Sequence, residues 1–169
     1  MTFLKTILAT AAIAGFASTA AEQGTGAYVN LGVDAVEFDF YNLGGKLGYN
    51  FTENFAVEGQ ASFGISGEET LGVDVDINNS FGGFIKAGLP LDGGHELFVR
   101  GGYHFTQFGL SAGNASDSLN SDGVALGAGG QYMFDGANGV RLEYTYFDVN
   151  ADGTSAGGDV FSLSYVRKF

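Results

Sequence analysis

Residues 159–169 read DVFSLSYVRKF, and their alternation is the clearest structural signal in the chain. In an extended strand the hydrophobic side chains of this segment share one face, namely Phe161, Leu163, Tyr165 and Phe169. The opposite face carries Ser162, Ser164 and Lys168. In water such an end gains little, because terminal residues fray. In a bilayer every backbone polar group needs a partner, so the pattern predicts the closing strand of a membrane barrel.

The same period of two recurs through the rest of the chain. Seven further alternating runs lie within residues 29–35, 41–49, 55–65, 77–89, 97–106, 124–134 and 140–146. Tight turns are expected at 50–54, 90–95 and 135–138, and longer polar loops at 66–76, 109–122 and 148–159; the first connection, near 36–40, is short. The spacing predicts an all-β, eight-stranded antiparallel up-and-down transmembrane barrel.

A soluble eight-stranded barrel of the lipocalin kind is the alternative architecture. It would bury its apolar faces inside, whereas here the polar faces combine glycine and serine with lysine, glutamate and arginine. Aromatic residues also gather near the strand ends, as in the two girdles of membrane barrels. We therefore expect the apolar faces to contact lipid.

The amino-acid composition argues against some classes of function. The formal net charge of −12 argues against nucleic-acid binding through a basic patch, and the absence of cysteine excludes disulfides. Residues 1–21 have the lysine, short apolar core and small residues of a secretory signal, with cleavage after Ala20 or Ala21. We expect residues 22–169 to form the barrel domain, exported through the periplasm.

The segments VRLEYTYFD (140–148) and FSLSYVRKF (161–169) resemble the last hairpin of the small OmpA/OmpX-like family of bacterial outer-membrane barrels. The hydrophobic residues of the final strand match that family's C-terminal assembly signal, except that Arg167 stands where an apolar residue is usual. The resemblance implies an outer-membrane location and contact with lipids, lipopolysaccharide and the barrel-assembly machinery. Roles in that family range over envelope integrity, surface adhesion and, in a few members, lipid enzymes, so the resemblance does not fix the role. We expect a non-enzymatic structural or surface-interaction role, with an unidentified surface partner. A small-solute or ion pore is the alternative, and a lipid-modifying enzyme is the third.

Six charged residues are expected on the inward face at similar height: Lys46, Glu58, Lys86, Arg100, Arg141 and Glu143. Side chains fill a barrel of eight strands, so these residues predict an ion network that plugs the interior. A narrow, gated conduction path is the other interpretation.

Two further patterns could carry chemistry. Residues 148–159 place Asp148, Asn150, Asp152 and Asp159 at the spacing of calcium ligands, although the last position lacks the longer glutamate and no helices flank the loop. No other cofactor is expected. His104 should face inward near the loop end. A serine–histidine–acid set would need His104 beside Asp34 or Asp122 and a reactive serine. No local motif marks such a serine, so we predict no catalytic residues.

Overall fold

The computed structural model describes residues 25–36, 40–64, 68–70, 73–112, 115–151 and 154–169. These residues form nine strands: β1 (Gly26–Val36), β2 (Phe40–Asn50), β3 (Phe55–Gly64), β4 (Glu68–Thr70), β5 (Val73–Pro90), β6 (Glu96–Ala112), β7 (Ala115–Met133), β8 (Asn138–Ala151) and β9 (Thr154–Lys168). Each of the eight long strands pairs antiparallel with the next long strand along the chain. The three-residue β4 pairs with β5 beyond the end of β3, so it lengthens one hairpin and is not a separate strand of the barrel. The prediction of an eight-stranded antiparallel barrel is confirmed.

The last strand closes the barrel against the first. The β1–β9 ladder runs from Val36 opposite Val160 to Tyr28 opposite Lys168. Beyond it, the backbone N–H of Phe169 donates to the carbonyl of Ala27 at 3.0 Å. The alternating C-terminal segment is thus the seam that leaves the sheet without a free edge.

The two faces of the sheet differ as the alternation predicts. Hydrophobic side chains cover the outside, and Leu126 and Leu142 remain 66% and 62% exposed. Charged and hydroxyl side chains are buried inside, among them Lys46, Glu58 and Arg141. An exposed apolar exterior around a polar interior is the arrangement of a barrel surrounded by lipid.

Tight turns join the strands at one end of the barrel. Between β2 and β3, the hydroxyl of Thr52 accepts hydrogen bonds from the backbone N–H groups of Asn54 and Phe55. Between β5 and β6, the 3₁₀ turn Asp92–Gly94 contains two residues with φ of 75° and 78°, which only glycine adopts without strain. No helical segment in the described ranges is long or apolar enough to cross a bilayer.

The opposite end corrects the predicted loops. The segments expected as loops at 66–76, 109–122 and 148–159 are largely strand where the structure describes them. In the first, β4 pairs with the start of β5. In the other two, β6 pairs with β7 as far as Ala112–Ala115, and β8 pairs with β9 as far as Ala151–Thr154. Outside a bilayer both faces of a hairpin are wet, so polar residues replace the alternation while the backbone ladder continues. The strands therefore extend past the apolar band. The predicted signal segment 1–21 lies outside the described residues.

Candidate functional site

The interior is organised around Arg141 of β8, whose side chain is completely buried. Its Nη1 and Nη2 donate to the two carboxylate oxygens of Glu58 from β3, at 2.5 and 3.2 Å. Its Nε and Nη2 donate to Oε2 of Glu143 at 2.9 and 2.5 Å. One guanidinium thereby joins two carboxylates that come from different strands.

Arg100 of β6 approaches the same two carboxylates from another side. Its Nη1 donates to Glu58 at 3.3 Å, and its Nη2 lies 2.5 Å from Oε1 of Glu143. The same Nη2 also donates to Oε1 of Gln60 at 2.7 Å. The hydroxyl of Thr145 donates to Glu143 at 3.0 Å, so each carboxylate is shared by several donors.

Two lysines complete the layer. Lys46 Nζ donates to Oε1 of Glu143 at 3.0 Å. Lys86 Nζ lies 2.7 and 2.9 Å from the two oxygens of Glu96. The structure therefore brings all six expected residues to the interior, five of them in one connected cluster and Lys86 with Glu96 beside it.

Glu96 was missing from the sequence interpretation, which counted four interior cations and two carboxylates. With Glu96, four cations (Lys46, Lys86, Arg100 and Arg141) form ion pairs with three carboxylates (Glu58, Glu96 and Glu143). A fourth carboxylate, that of Asp34 on β1, is also buried inside and attracts Lys46, so the interior holds as many carboxylates as cations. Glu96 begins β6 directly after a tight turn, so it resembles a solvated turn residue. It shares the inward phase of Arg100, and that phase was the signal that could have identified it.

Aromatic rings also occupy the interior, which the sequence interpretation did not expect. The guanidinium carbons of Arg141 and Arg100 lie 4.0 Å from the ring centres of Phe98 and Phe84 respectively. The hydroxyl of Tyr28 donates to Oε1 of Glu58 at 2.5 Å. These rings shield the charges from water and add cation–π attraction. Phe84 lies two residues from Lys86, and Phe98 lies two residues from Arg100, so the alternation along each strand indicates that both rings point inward.

Interior glycines make space for these rings. A Cβ at Gly129 would come within 2.6 Å of the Phe98 ring, and one at Gly102 within 2.6 Å of the Phe84 ring. A Cβ at Gly48 would overlap the ring of Tyr28. The rings therefore pack directly against the glycine backbone at the level of the ion pairs.

The half of the interior nearer the long hairpins is lined by small polar groups. Ser62, Ser80, Thr106 and Ser121 face one another across four neighbouring strands. In this half, buried polar atoms of Asn42, His104 and Ser121 have no hydrogen-bond partner among the described residues. At the level of the ion layer, Nε of Arg100 and the hydroxyl of Ser164, which lies opposite Arg141, also have none. Groups of this kind are ordinarily satisfied by water, so this half is the wetter one.

His104 has the inward position that its sequence phase indicates. Its ring packs edge-on against Phe147, with ring centres 4.5 Å apart. The carboxylate of Asp122 lies on the outer face instead, where it accepts a hydrogen bond from Tyr103. Nδ1 of His104 has no hydrogen-bond partner among the described residues, so neither Asp122 nor the buried Asp34 holds it in the histidine–acid pair that nucleophilic catalysis would use.

The calcium pattern falls partly outside the described residues. Asp152 lies outside them, and the side chain of Asn150 is not among those described. Asp148 and Asp159 belong to the paired strands β8 and β9, and Asp159 accepts a hydrogen bond of 2.6 Å from Tyr144. Within the described ranges no group of three or more histidine, aspartate or glutamate residues could hold a metal ion.

At the turn end, a cavity of about 740 Å³ opens below the ion layer. Its lining includes His95, Glu96, Lys168 and Phe169. His95 is held in place because its Nδ1 accepts the backbone N–H of Met133 at 3.0 Å and its ring stacks on Tyr132. Lys86 and Glu96 close the inner end of this vestibule.

The turn at Asp135 carries a perturbed acid outside the membrane-spanning strands. The Asn138 side chain and the backbone N–H groups of Ala137 and Asn138 donate to this carboxylate at 2.6–3.0 Å. These bonds, with the Asn138 side chain foremost, lower the pKa of Asp135 from its ordinary value. The ionised form caps the turn that leads into β8.

Comparisons with known proteins agree with this geometry. The model of the family described as outer membrane protein beta-barrel domain matches residues 6–169. The N-terminal β-barrel domain of OprF from Pseudomonas aeruginosa is 14% identical, with a TM-score of 0.68 over 87% of this chain and 98% of that one.

Two other solved structures have the same architecture. OprG from Pseudomonas aeruginosa is 14% identical, with a TM-score of 0.64 over 86% of this chain and 97% of that one. Ail, the attachment invasion locus protein of Yersinia pestis, in complex with the heparin analogue sucrose octasulfate, is 17% identical, with a TM-score of 0.61 over 86% and 97%. At such identities the likeness concerns the fold. No curated protein sequence matches the chain.

Proposed function

The chain belongs to the family of outer membrane proteins with a β-barrel domain, and from this premise we propose that it is a plugged, non-enzymatic barrel of the bacterial outer membrane. Its role would be structural, with its long hairpins available for interaction at the cell surface. The observation that carries the proposal is the interior layer in which Arg141 and Arg100 share the carboxylates of Glu58 and Glu143.

The plug follows from the energetics of that layer. An ion could pass only if several buried ion pairs separated, and a buried charge without its partner costs several kcal/mol. The rings of Phe84, Phe98 and Tyr28 occupy the remaining space beside the charges. We therefore expect the resting barrel to span the membrane without conducting ions.

The character of a surface partner is limited by charge. The segments beyond the apolar band contain Glu68, Glu69, Asp74, Asp76 and Asp117, and the whole chain has a net charge of −12. Ail was solved with a heparin analogue, a polyanion. Like charges repel, so we propose that the partner of this chain is neutral or cationic, or is bridged by divalent cations.

A pore is the second candidate, favoured by the unpartnered polar atoms of Asn42, His104 and Ser121 in the wetter half. Conductance of the refolded barrel in planar lipid bilayers separates the two candidates. We expect no conductance steps from the wild-type protein. Glu58→Gln, which removes one shared carboxylate, should also stay closed, because the rings of Phe84 and Phe98 still occupy the space beside the charges. Regular steps from the wild-type barrel would assign it as a pore.

A further inference from the structure

Arg167 is the exception to the charge arrangement of the barrel. The chain has seven lysine and arginine residues. One lies in the predicted signal, four form the interior layer, and Lys168 lines the turn-end vestibule. In the described part of the chain, Arg167 is thus the basic residue that points outward, towards lipid.

Neighbouring polar side chains hold its guanidinium. Arg167 lies directly opposite Asn138 across the β8–β9 ladder, and its Nη1 donates to Oδ1 of Asn138 at 2.7 Å. The hydroxyl of Tyr165 donates to the same oxygen. The amide of Asn138 is fixed in turn by Asp135, to which its Nδ2 donates at 2.9 and 3.0 Å. The guanidinium is therefore oriented before any ligand arrives.

This orientation leaves most of its hydrogen-bonding capacity unused. A guanidinium has five N–H donors, and within the described ranges Asn138 is the acceptor that Arg167 uses. No described carboxylate forms an ion pair with it; that of Asp135 is occupied by Asn138 and by backbone N–H groups. Asp135 lies near enough for the charge of Arg167 to help lower its pKa, although the two form no ion pair. The free N–H donors of Arg167 can therefore still bind an anion from outside the protein.

The depth of Arg167 indicates which anion. It stands at the tight-turn end, which faces the periplasm in barrels of this class, among the exposed rings of Tyr132, Phe134 and Phe169. A lipid-facing arginine is costly at the bilayer centre and nearly free of cost at the interface. Phospholipid phosphates lie at that interface, and the arginine fork matches the geometry of a phosphate.

We propose that Arg167, oriented by Asn138 and Tyr165, binds the phosphate of one phospholipid in the inner leaflet of the outer membrane. The surrounding aromatic rings would pack against the glycerol and upper acyl chains of that lipid. The bound lipid would then anchor the β8–β9 hairpin, and with it the β1–β9 seam, to the membrane interface.

Native mass spectrometry of the refolded barrel released from nanodiscs tests this site. The bilayer would contain phosphatidylglycerol, or a phosphate-free diacyl glycolipid with the same acyl chains. We expect the wild type to retain phosphatidylglycerol at a collision energy that strips the glycolipid. Equal retention of both lipids by the wild type would overturn the proposal without any variant.

Neighbouring residues provide the matched control. Arg167→Gln and Lys168→Gln change the net charge equally, but their side chains lie on opposite faces. Arg167→Gln should lower retention of phosphatidylglycerol about fivefold, the effect of one basic residue near an anionic surface. Lys168→Gln should leave retention unchanged, and Arg167→Lys should be intermediate because it keeps the charge without the fork. Equal losses in the two glutamine variants would show non-specific attraction and refute the site.

Soluble phosphate is the remaining source of the same chemistry. Inorganic phosphate at millimolar concentration should not displace the retained lipid, since the aromatic contacts belong to the lipid alone. Displacement would mean that Arg167 is a general anion site, contrary to the proposal.

Discussion

Replacing Glu58 by glutamine should be the most damaging single change of charge in the interior. Glu58 accepts hydrogen bonds from Tyr28, from two nitrogens of Arg141 and from Arg100. Glutamine keeps the shape but leaves both guanidiniums with Glu143 as their shared carboxylate. Removing one partner of a buried ion pair costs roughly 3–5 kcal/mol. We expect Glu58→Gln to lower the free energy of unfolding by about 3 kcal/mol.

The charge count supplies the control. With Asp34 counted, the interior has four cations and four carboxylates, so Glu58→Gln leaves one positive charge in excess. Lys46→Met also changes the balance by one charge, but Glu143 retains Arg141, Arg100 and Thr145 as donors, so no buried carboxylate loses all its partners there. Lys46→Met should therefore cost less than about 1 kcal/mol. The double variant Glu58→Gln/Arg141→Met restores the original balance and should be more stable than Glu58→Gln alone.

Reversible urea unfolding in lipid vesicles measures these differences, with unchanged slopes confirming that the same surface is exposed. Equal losses for Glu58→Gln and Lys46→Met would refute the reasoning, because they would mean that water screens the interior charges. A double variant less stable than Glu58→Gln would also contradict it, since it would show that Arg141 stabilises the barrel without its carboxylate partner.

Four further predictions concern other parts of the barrel. Folding lowers the pKa of Asp135, so the ionised carboxylate stabilises the barrel above the ordinary aspartate pKa of about 4. This stabilisation is lost as the pH falls through the lower pKa of the folded state. Asp135→Asn should therefore reduce the pH dependence of the urea midpoint below about pH 4. Gly48→Ala, whose Cβ would overlap Tyr28, should cost about 1–3 kcal/mol in urea unfolding, whereas the matched Gly59→Ala, with nothing within 4 Å, should cost much less. Deletion of Phe169 should lower the amount of heat-modifiable barrel in the outer membrane without accumulation of precursor, and wild-type levels would contradict the assembly-signal hypothesis. If residues 148–159 bind calcium, the ion should slow proteolysis of the last hairpin in the wild type and not in Asp152→Ala.

The period of two was enough to predict the barrel and its polarity. Alternation in each run identified which residues face lipid, and the lengths of the connections distinguished the two ends. The same phase placed Lys46, Glu58 and Arg141 inside, because inward and outward positions alternate strictly along a strand. These features depend on local geometry, which a sequence expresses directly.

The details of the interior could not be obtained in the same way. Glu96 pairs with Lys86 across a tight turn, and a turn-proximal glutamate has the same local pattern whether it is solvated or buried. Phe84 and Phe98 look like lipid-facing aromatics unless the phase of each strand is followed through them. The length of the hairpins was also hidden, because beyond the membrane both faces of a strand are polar and the alternation disappears.

The interior glycines help to explain why we expect the barrel not to conduct. The interior of an eight-stranded barrel is just wide enough to be filled by side chains, so a large inward residue requires a small one on the strand beside it. Gly129 beside Phe98 and Gly102 beside Phe84 satisfy this requirement. Separating the ion pairs would therefore not by itself open a path, because the rings would still occupy the space that the glycines leave. A conducting state would need the rings to move as well as the charges, and the close contacts at the glycines leave them little room to do so.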